Sequence, residues 1–321
     1  MTQPAKRIPT HESTTFDHGY ALLIGVGETA DPAWSLPVTV KDVQAIQRLL
    51  TDPERCAYPD NEQHVRRLCN AEAARQGILD GLAWLTRQAA ADPEATVVIY
   101  YSGHGWLDAF TGRYYLIPHD VMPADIPGSA LSADDFSAAL HGVPAQRLLV
   151  FVDSCHAEGM ASAKDEPGLP TDFLSTGMPK CVIDSLKHGE GRAVFTSSRG
   201  AQRSWVRPDQ TMSLYTYHLL EALQGAGNQP GDTVVRVSNL MNHVGKTVSE
   251  SARVLCQAEQ TPFFDAATED FPVALLRGGT HEANDQPEVR EKSSETTVII
   301  QHARDRALQI GQVRGGVVIQ K

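Results

Sequence analysis

Short apolar runs, rich in β-branched residues, alternate along the chain with segments in which apolar positions recur every three or four residues. The runs predict buried strands, and the periodic segments predict amphipathic helices. The predicted strands span residues 20–26, 65–68, 97–104, 148–155, 193–196 and 273–276, and residues 113–118 form a predicted hairpin arm. The predicted helices span residues 42–50, 72–90, 132–140 and 213–223. This alternation predicts an α/β fold, a three-layer α/β/α sandwich with a mainly parallel sheet.

Two of the predicted strands end in residues that carry chemistry. One ends in Ser-Gly-His-Gly and brings His104, and the other ends in Asp-Ser-Cys-His and brings Cys155. In an open parallel sheet, ligands and reacting groups gather beyond the carboxyl ends of the strands. If these two strands are neighbours, an imidazole and a thiol meet at one edge of the sheet. That pairing predicts an enzyme with a cysteine nucleophile, and a peptidase in particular.

The two residues of the predicted pair, Cys155 and His104, have different roles in peptide hydrolysis. A thiol with an ordinary pKa of about 8.5 is only slightly ionised at neutral pH, so it needs a base beside it. We expect His104 to take the proton of Cys155 and later to protonate the leaving amine. The backbone N–H groups of Gly105 and Cys155 are the expected donors to the oxyanion. A buried cysteine or histidine taken alone is more often structural, so it is the joint pattern that favours catalysis.

The composition of the chain limits the kinds of molecule that it is expected to bind. The chain of 321 residues has a net charge of −11 and no long stripe of Lys and Arg, which argues against a nucleic-acid or anionic membrane surface. No apolar run reaches the ~18–20 residues that a membrane span needs, and residues 1–15 lack the apolar core of a secretory signal. The five cysteines contain no C-x-x-C pair, so they predict neither a disulfide framework nor a zinc site. A reducing cytoplasm is the expected location, because it protects a catalytic thiol.

These motifs resemble the caspase-like cysteine peptidases of clan CD (peptidase family C14), in the branch of metacaspases and bacterial caspase homologues. The resemblance covers about residues 20–223 and rests on Ala-Leu-Leu-Ile-Gly-Val, Lys-Asp-Val, Tyr-Ser-Gly-His-Gly and Asp-Ser-Cys-His, in that order. The spacing of about fifty residues between His104 and Cys155 also agrees with the caspase signature. The resemblance implies a caspase-like fold with about six strands in the sheet and the dyad at its carboxyl edge. It also implies a cysteine endopeptidase that acts on protein or peptide substrates.

The resemblance further implies the chemistry of the substrate pocket. Asp153 stands two residues before Cys155, where true caspases have glutamine, and Asp42 and Ser102 match pocket residues of the metacaspase branch. Two carboxylates in a narrow pocket favour a Lys or Arg side chain, with Arg bound bidentately. The predicted cleavage is therefore after Arg or Lys. The alternative is that Asp42 only caps a helix and Asp153 only orients a loop.

A segment further along the chain supports cleavage after an acidic residue instead of a basic one. Ser-Trp-Val-Arg, residues 204–207, is similar to the caspase segment Ser-Trp-Arg, whose arginine binds a substrate acid, although one extra residue breaks the register. We expect Trp205 to form the wall of a neighbouring subsite. Two rival functions stay open: a clan CD peptidase that cleaves after Asp or Asn, with Arg207 as the pocket cation, and a catalytically latent adaptor that uses the fold for binding.

Calcium activates many metacaspases through a set of aspartates, and the resemblance extends to part of that set. Asp120, Asp134 and Asp135 fall near those positions. Carboxylates at the start of a helix are also favourable without any ion, because they face the positive end of the helix dipole. Calcium activation is therefore left open, and neither a cofactor nor a metal site is assigned.

The predicted domain organisation has four parts. They are an N-terminal extension (1–16), a caspase-like peptidase domain (17–278), an acidic linker (279–296) and a β-prone tail (297–321). Exposed β-prone peptides bind partners by strand addition, so the tail is a candidate docking element. Similar tails occur in bacterial conflict and cell-death modules. That likeness implies a regulated protease effector in a bacterial defence or cell-death pathway.

Overall fold

The structure is a computed structural model of the chain, and it describes residues 16–154, 156–157, 170, 172–186, 191–267 and 270–276. All of these belong to the first of two structural units, Met1–His281. Three predictions therefore concern residues outside the described ones. They are the N-terminal extension before Phe16, the linker and tail at 279–321, and the nucleophile Cys155. The predicted domain boundaries stay predictions.

Fourteen strands and seven helices are found in the described part of the chain. The strands are β1 (Gly19–Gly25), β2 (Val65–Cys69), β3 (Thr96–Gly103), β4 (Gly105–Asp108), β5 (Tyr114–Leu116), β6 (Leu131–Ser132), β7 (Arg147–Ser154), β8 (His156–Ala157), β9 (Phe173–Ser175), β10 (Arg192–Thr196), β11 (Ser204–Trp205), β12 (Val234–Arg236), β13 (Phe263–Ala267) and β14 (Pro272–Leu275). The helices are α1 (Val38–Thr51), α2 (Arg75–Ala91), α3 (Ile126–Ser129), α4 (Ala133–His141), α5 (Lys180–Leu186), α6 (Leu214–Leu223) and α7 (Val237–Leu255). Two 3₁₀ turns, Pro32–Trp34 and Asn70–Ala73, lie between them.

A six-stranded central sheet runs in the order β13-β10-β7-β3-β1-β2. Its strands are parallel except for β13, which pairs antiparallel with β10 at one edge. Every residue of β1 and of β3 is buried, as expected for parallel strands that are covered on both faces. The predicted three-layer α/β/α sandwich with a mainly parallel sheet of about six strands is confirmed.

Helices with an apolar stripe cover each face of this sheet. On one face α1, α6 and α7 bury Ile46, Leu219 and Val244 in a common core. On the other face α2 and α4 bury Leu82 and Phe136 in a second core, together with side chains of α5. No helix in the described part of the chain is both long enough and apolar enough to cross a bilayer.

The last strands differ from the prediction. The predicted strand at 273–276 exists as β14, but it pairs with β12 in a separate two-stranded sheet and does not join the central one. The sixth strand of the central sheet is β13, whose sequence Phe-Phe-Asp-Ala-Ala shows no alternation of apolar and polar residues. The long helix α7 was also not predicted, although its buried residues recur at helical spacing.

A small antiparallel sheet continues the chain beyond the carboxyl end of β3. Its order is β6-β5-β4-β9, and the pairing of β4 with β5 includes the predicted hairpin arm at 113–118. Only His104 separates β3 from β4, so this residue lies where the parallel sheet passes into the antiparallel one. The aromatic side chains of Trp34, Trp106 and Tyr115 form a third core beside this junction.

The two-sided burial of β1 leads to a stability prediction. Leu22 is 0 % exposed within the core between the sheet and α2, whereas Leu174 on β9 is 46 % exposed. We expect Leu22→Ala to lower the free energy of unfolding by about 2–5 kcal/mol, because the lost contacts leave a cavity. Leu174→Ala is the matched control, with an expected loss of about 0.5 kcal/mol or less. Urea denaturation of both variants measures this, and equal losses would contradict the described burial.

Candidate active site

The two strands that carry the predicted chemistry are neighbours in the central sheet. β3 pairs parallel with β7, with Ser102 opposite Asp153 and Gly103 opposite Ser154. The expectation that the two strand ends meet is therefore confirmed. His104 follows Gly103 in the chain as Cys155 follows Ser154, but Cys155 itself lies outside the described residues. The structure thus describes the histidine half of the predicted dyad.

The imidazole of His104 is buried and held in one orientation. It is 4 % exposed, and its Nε2 lies 2.9 Å from the carbonyl oxygen of Trp34. Because a carbonyl only accepts hydrogen bonds, Nε2 is the nitrogen that carries the proton in this contact. In the neutral ring Nδ1 is then the basic nitrogen. The contact with Trp34 therefore selects the tautomer in which Nδ1 can take up a proton.

The backbone around His104 is fixed as well. Its carbonyl oxygen accepts hydrogen bonds from the hydroxyl of Tyr101 at 2.8 Å and from the N–H of Ile117 at 3.1 Å. Burial raises the pKa of Tyr101, so its hydroxyl stays protonated and able to donate. The rings of Trp34 and Trp106 pack edge to face with centroids 4.6 Å apart, and the ring of Trp106 lies 5.7 Å from that of His104. These contacts restrict movement of the imidazole.

Gly105 lies against the end of β7. A Cβ at this position would overlap the hydroxyl of Tyr114 and would lie 2.9 Å from the Cβ of Ser154, so only glycine fits. The Tyr114 hydroxyl lies 2.8 Å from the Ser154 hydroxyl and donates to the carbonyl of Thr176 at 3.1 Å. Tyr114 thereby holds the residue that precedes Cys155. The expected role of the Gly105 N–H as an oxyanion donor stays a prediction.

The two predicted pocket carboxylates meet in one buried polar cluster. Asp42 and Asp153 are both 0 % exposed. Asp42 accepts hydrogen bonds from the Ser102 hydroxyl at 3.2 Å and from the Ser213 N–H at 2.9 Å. Asp153 accepts from the Ser213 hydroxyl at 2.5 Å and from the Ser204 hydroxyl at 2.7 Å. Ser213 therefore bridges the two carboxylates, and Ser102 belongs to the same cluster.

The amino terminus of α6 supports this negative charge. Ser213 caps the helix by accepting a hydrogen bond from the Thr216 N–H at 3.1 Å, and the first turn of a helix carries partial positive charge. The hydroxyl of Tyr100 lies 2.6 Å from that of Thr216. Burial, followed by the charges of Asp42 and Asp153, raises the pKa of Tyr100 well above its ordinary value. The cluster thus combines two carboxylates with neutral hydroxyl groups and a helix terminus.

Trp205 lies beside the strand that follows the nucleophile position. It belongs to β11, which pairs parallel with β8, and its partner in the register is Ala157. Its backbone N–H donates to the side chain of Gln260 at 2.9 Å, while its indole Nε1 is buried with no hydrogen-bond partner among the residues that the structure describes. This position is compatible with the predicted subsite wall, which stays a prediction.

Arg207, the candidate pocket cation of the rival preference, already has close partners. Its guanidinium donates to the carboxylate of Asp209 at 3.0 Å and lies 3.9 Å from the ring centroid of Tyr217. A cation over an aromatic face and beside a carboxylate is well compensated. Binding of a substrate acid at Arg207 would compete with these contacts.

Two of the three aspartates near the calcium positions contact Arg75. Asp120 accepts a hydrogen bond from the Arg75 N–H at 2.8 Å, and Asp135 lies 3.3 Å from the Arg75 guanidinium. Asp134 is exposed at the start of α4. In the described residues these carboxylates do not form a compact group of three metal ligands. Calcium activation stays a prediction.

Sequence reasoning did not single out several residues that hold the site. Ser213 and Ser204 bind the pocket carboxylates, Tyr114 holds Ser154, and the Trp34 carbonyl orients His104. Ser213 carried a signal, since a serine three residues before Thr216 at the start of a helix is a typical cap. The Trp34 carbonyl carried none, because any residue type supplies a carbonyl at that point.

Comparisons with known proteins agree with this architecture. The family model for the caspase domain matches residues 18–272. Protein GSU0716 from Geobacter sulfurreducens has a similar structure, with a TM-score of 0.50 at 16% sequence identity, over 79% of this chain and 95% of that one. Caspase-1 from Spodoptera frugiperda is similar with a TM-score of 0.51 at 13% identity, over 83% of this chain and 95% of that one. No curated protein matches the sequence. Because the family match spans most of the chain, this protein belongs to the caspase domain family of cysteine peptidases.

Proposed function

We propose that this protein is a cysteine endopeptidase in which Cys155 is the nucleophile and His104 is the general acid and base. The observation that carries the proposal is the pairing of β3 with β7, in which the residues before His104 and before Cys155 lie opposite each other. The contact of His104 Nε2 with the Trp34 carbonyl adds support, because it leaves Nδ1 as the basic nitrogen.

The proposed reaction has two stages. In the first, the Cys155 proton passes to His104 Nδ1, and the thiolate attacks the carbonyl carbon of the scissile bond. The N–H groups of Gly105 and Cys155 bind the oxyanion, and the proton on His104 then goes to the leaving amine as the C–N bond breaks. In the second stage, His104 takes a proton from water, whose oxygen attacks the thioester. The acid product leaves, and the thiol regains its proton.

The proposed substrates carry Arg or Lys at the residue before the cleaved bond. The support is the cluster in which Ser213 joins the carboxylates of Asp42 and Asp153. Both carboxylates are fully buried, so a basic side chain reaches them only after the surrounding groups move apart. Such a rearrangement is a step at which an activating signal would act. The existing partners of Arg207 give less support to cleavage after an acidic residue.

The proposed setting is the reducing cytoplasm, where the protein would act as a regulated effector in a bacterial defence or cell-death pathway. This part of the proposal rests on the resemblance of the motifs and the tail to such modules. The rival in a different class is an adaptor that has the caspase fold but does not cleave peptides. A direct assay of hydrolysis separates the two.

The dyad leads to a prediction on activity and specificity. We expect the full-length protein to hydrolyse peptides ending in Arg or Lys, with kcat/KM at least about a hundredfold above that for peptides ending in Asp or Asn. Cys155→Ala should lower kcat by at least about a thousandfold, because the nucleophile is lost. Cys181→Ala, at an exposed cysteine of α5, is the matched control with unchanged activity.

Each contrary outcome of this assay has a definite meaning. Turnover of Asp peptides that needs Cys155 would keep the dyad and overturn the basic preference. Turnover that survives in Cys155→Ala would overturn the dyad. The assay is run with and without calcium and after limited proteolysis, so that a latent state is activated. Absence of turnover in all of these conditions would favour the adaptor.

The pocket cluster leads to a second prediction. Asp153→Asn should lower kcat/KM for Arg peptides by about thirtyfold, because replacing a charge-assisted contact with a neutral one loses about 2 kcal/mol. Asp60→Asn, at an exposed aspartate between α1 and β2, is the control with unchanged kcat/KM. Urea denaturation checks that the variant folds, and Ser102→Ala tests the pocket with a smaller disturbance. A kcat/KM within twofold of wild type in both pocket variants would contradict the proposed pocket.

The tail leads to a third prediction. The family match ends at residue 272, and we propose that residues 297–321 dock on a partner and take no part in hydrolysis. Removal of residues 296–321 should therefore leave kcat/KM within about twofold and the thermal midpoint unchanged. Loss of activity in the truncated protein would instead make the tail part of the peptidase domain.

A further inference from the structure

Two helices bring three ordinary metal ligands together, away from the predicted dyad. His218 and Glu221 lie one turn apart on α6, and His243 lies on α7. His218 Nδ1 is 2.7 Å and His243 Nε2 is 3.2 Å from the same oxygen of Glu221, Oε2. The three ligand atoms all lie within 4.8 Å of one another, and no other such group of three or more is found in the described part of the chain.

One of the histidines also has a hydrogen-bond partner of the kind that surrounds metal sites. The second nitrogen of His218, Nε2, lies 2.8 Å from the hydroxyl of Ser251 on α7. A histidine that binds a metal through one nitrogen usually donates a hydrogen bond from the other, which fixes the ring and its tautomer. Ser251 is placed to accept that hydrogen bond from His218 when Nδ1 binds an ion.

The burial and charge of the group also favour a cation. The side chains of His218 and His243 are 9% and 13% exposed, whereas that of Glu221 is 36% exposed, so the imidazoles are largely enclosed and the carboxylate is partly open to solvent. A carboxylate beside two imidazoles supplies negative charge for a cation, and all three groups are common ligands of divalent transition metals.

We propose that His218, Glu221 and His243 bind a divalent transition-metal ion, with Zn²⁺ as the preferred ion, and that this ion joins α6 to α7. Two imidazole nitrogens and one carboxylate oxygen suit Zn²⁺, whereas Ca²⁺ and Mg²⁺ need six or more oxygen ligands. Neighbouring ligands in a tetrahedral zinc site lie about 3.3 Å apart for bonds of about 2.0 Å. The two observed separations, 2.7 and 3.2 Å, need only a small adjustment. The fourth position faces solvent and takes a water molecule.

This site is independent of the proposed peptidase activity and uses none of the five cysteines. Binding therefore has a readout that does not depend on hydrolysis. Thiols also bind Zn²⁺, so the measurement uses the full chain with the Cys155→Ala substitution as its background.

The test is isothermal titration calorimetry, in which ZnCl₂ is added to the Cys155→Ala protein after a chelator has removed bound metals. We expect one Zn²⁺ per chain, with a dissociation constant in the micromolar range or below and a rise in the thermal midpoint. His243→Gln and Glu221→Gln should each weaken binding at least about a hundredfold, and Ser251→Ala about tenfold. His18→Gln is the matched control with unchanged binding, because it removes an exposed histidine that also contacts two carboxylates, Asp92 and Glu94.

Several results would overturn the proposal. They are binding in His243→Gln and Glu221→Gln as strong as in the parent, absence of a saturable site for Zn²⁺, or CaCl₂ binding as tightly as ZnCl₂. If a substitution prevents folding, the site can still be tested in the Cys155→Ala protein, with Co²⁺ bound in place of Zn²⁺. Its absorption spectrum should show tetrahedral cobalt without thiolate-to-metal charge transfer. A strong thiolate band would place the ion on the remaining cysteines and contradict the proposed site.

Discussion

The parallel register of β3 and β7 is the constraint on which the candidate site depends. It sets Ser102 opposite Asp153 and Gly103 opposite Ser154, at the carboxyl end of both strands. A slip of one residue would turn every side chain of a strand to the other face of the sheet, so the two buried cores hold this register firmly. The position of His104 relative to the end of β7 then follows from the fold itself.

Burying two carboxylates side by side is costly unless hydrogen bonds compensate for the lost water. Part of the compensation for both Asp42 and Asp153 comes from one residue, because the N–H of Ser213 binds one carboxylate and its hydroxyl binds the other. The same residue caps α6, whose apolar face packs on the sheet. The pocket and the packing of α6 are therefore stabilised together.

The parts of the fold that could be predicted are those encoded locally. β1, β3 and β7 are continuous apolar runs that end in short polar motifs, so both their existence and their chemistry could be recognised. β13 has no such pattern, and the choice between β13 and β14 as the sixth strand depends on pairing with distant segments. The partners of the site also lie far apart in sequence, since Asp42 and Ser213 are separated by 171 in residue number. α7 is the exception, because the spacing of Leu240, Val244 and Val248 was a local signal that could have identified it.

The helix α6 connects the carboxylate cluster of the candidate pocket with the proposed metal site. α6 begins directly after Ser213, at the carboxylates of the candidate pocket, and it carries His218 and Glu221 on its next turns against α7. At a rise of about 1.5 Å per residue, His218 lies about 7–8 Å along the axis from Ser213. A helix this short moves nearly as a rigid body. A movement of α6 as a whole would therefore shift both its first turn, next to the Ser213 cap, and the contact of His218 with Ser251 on α7.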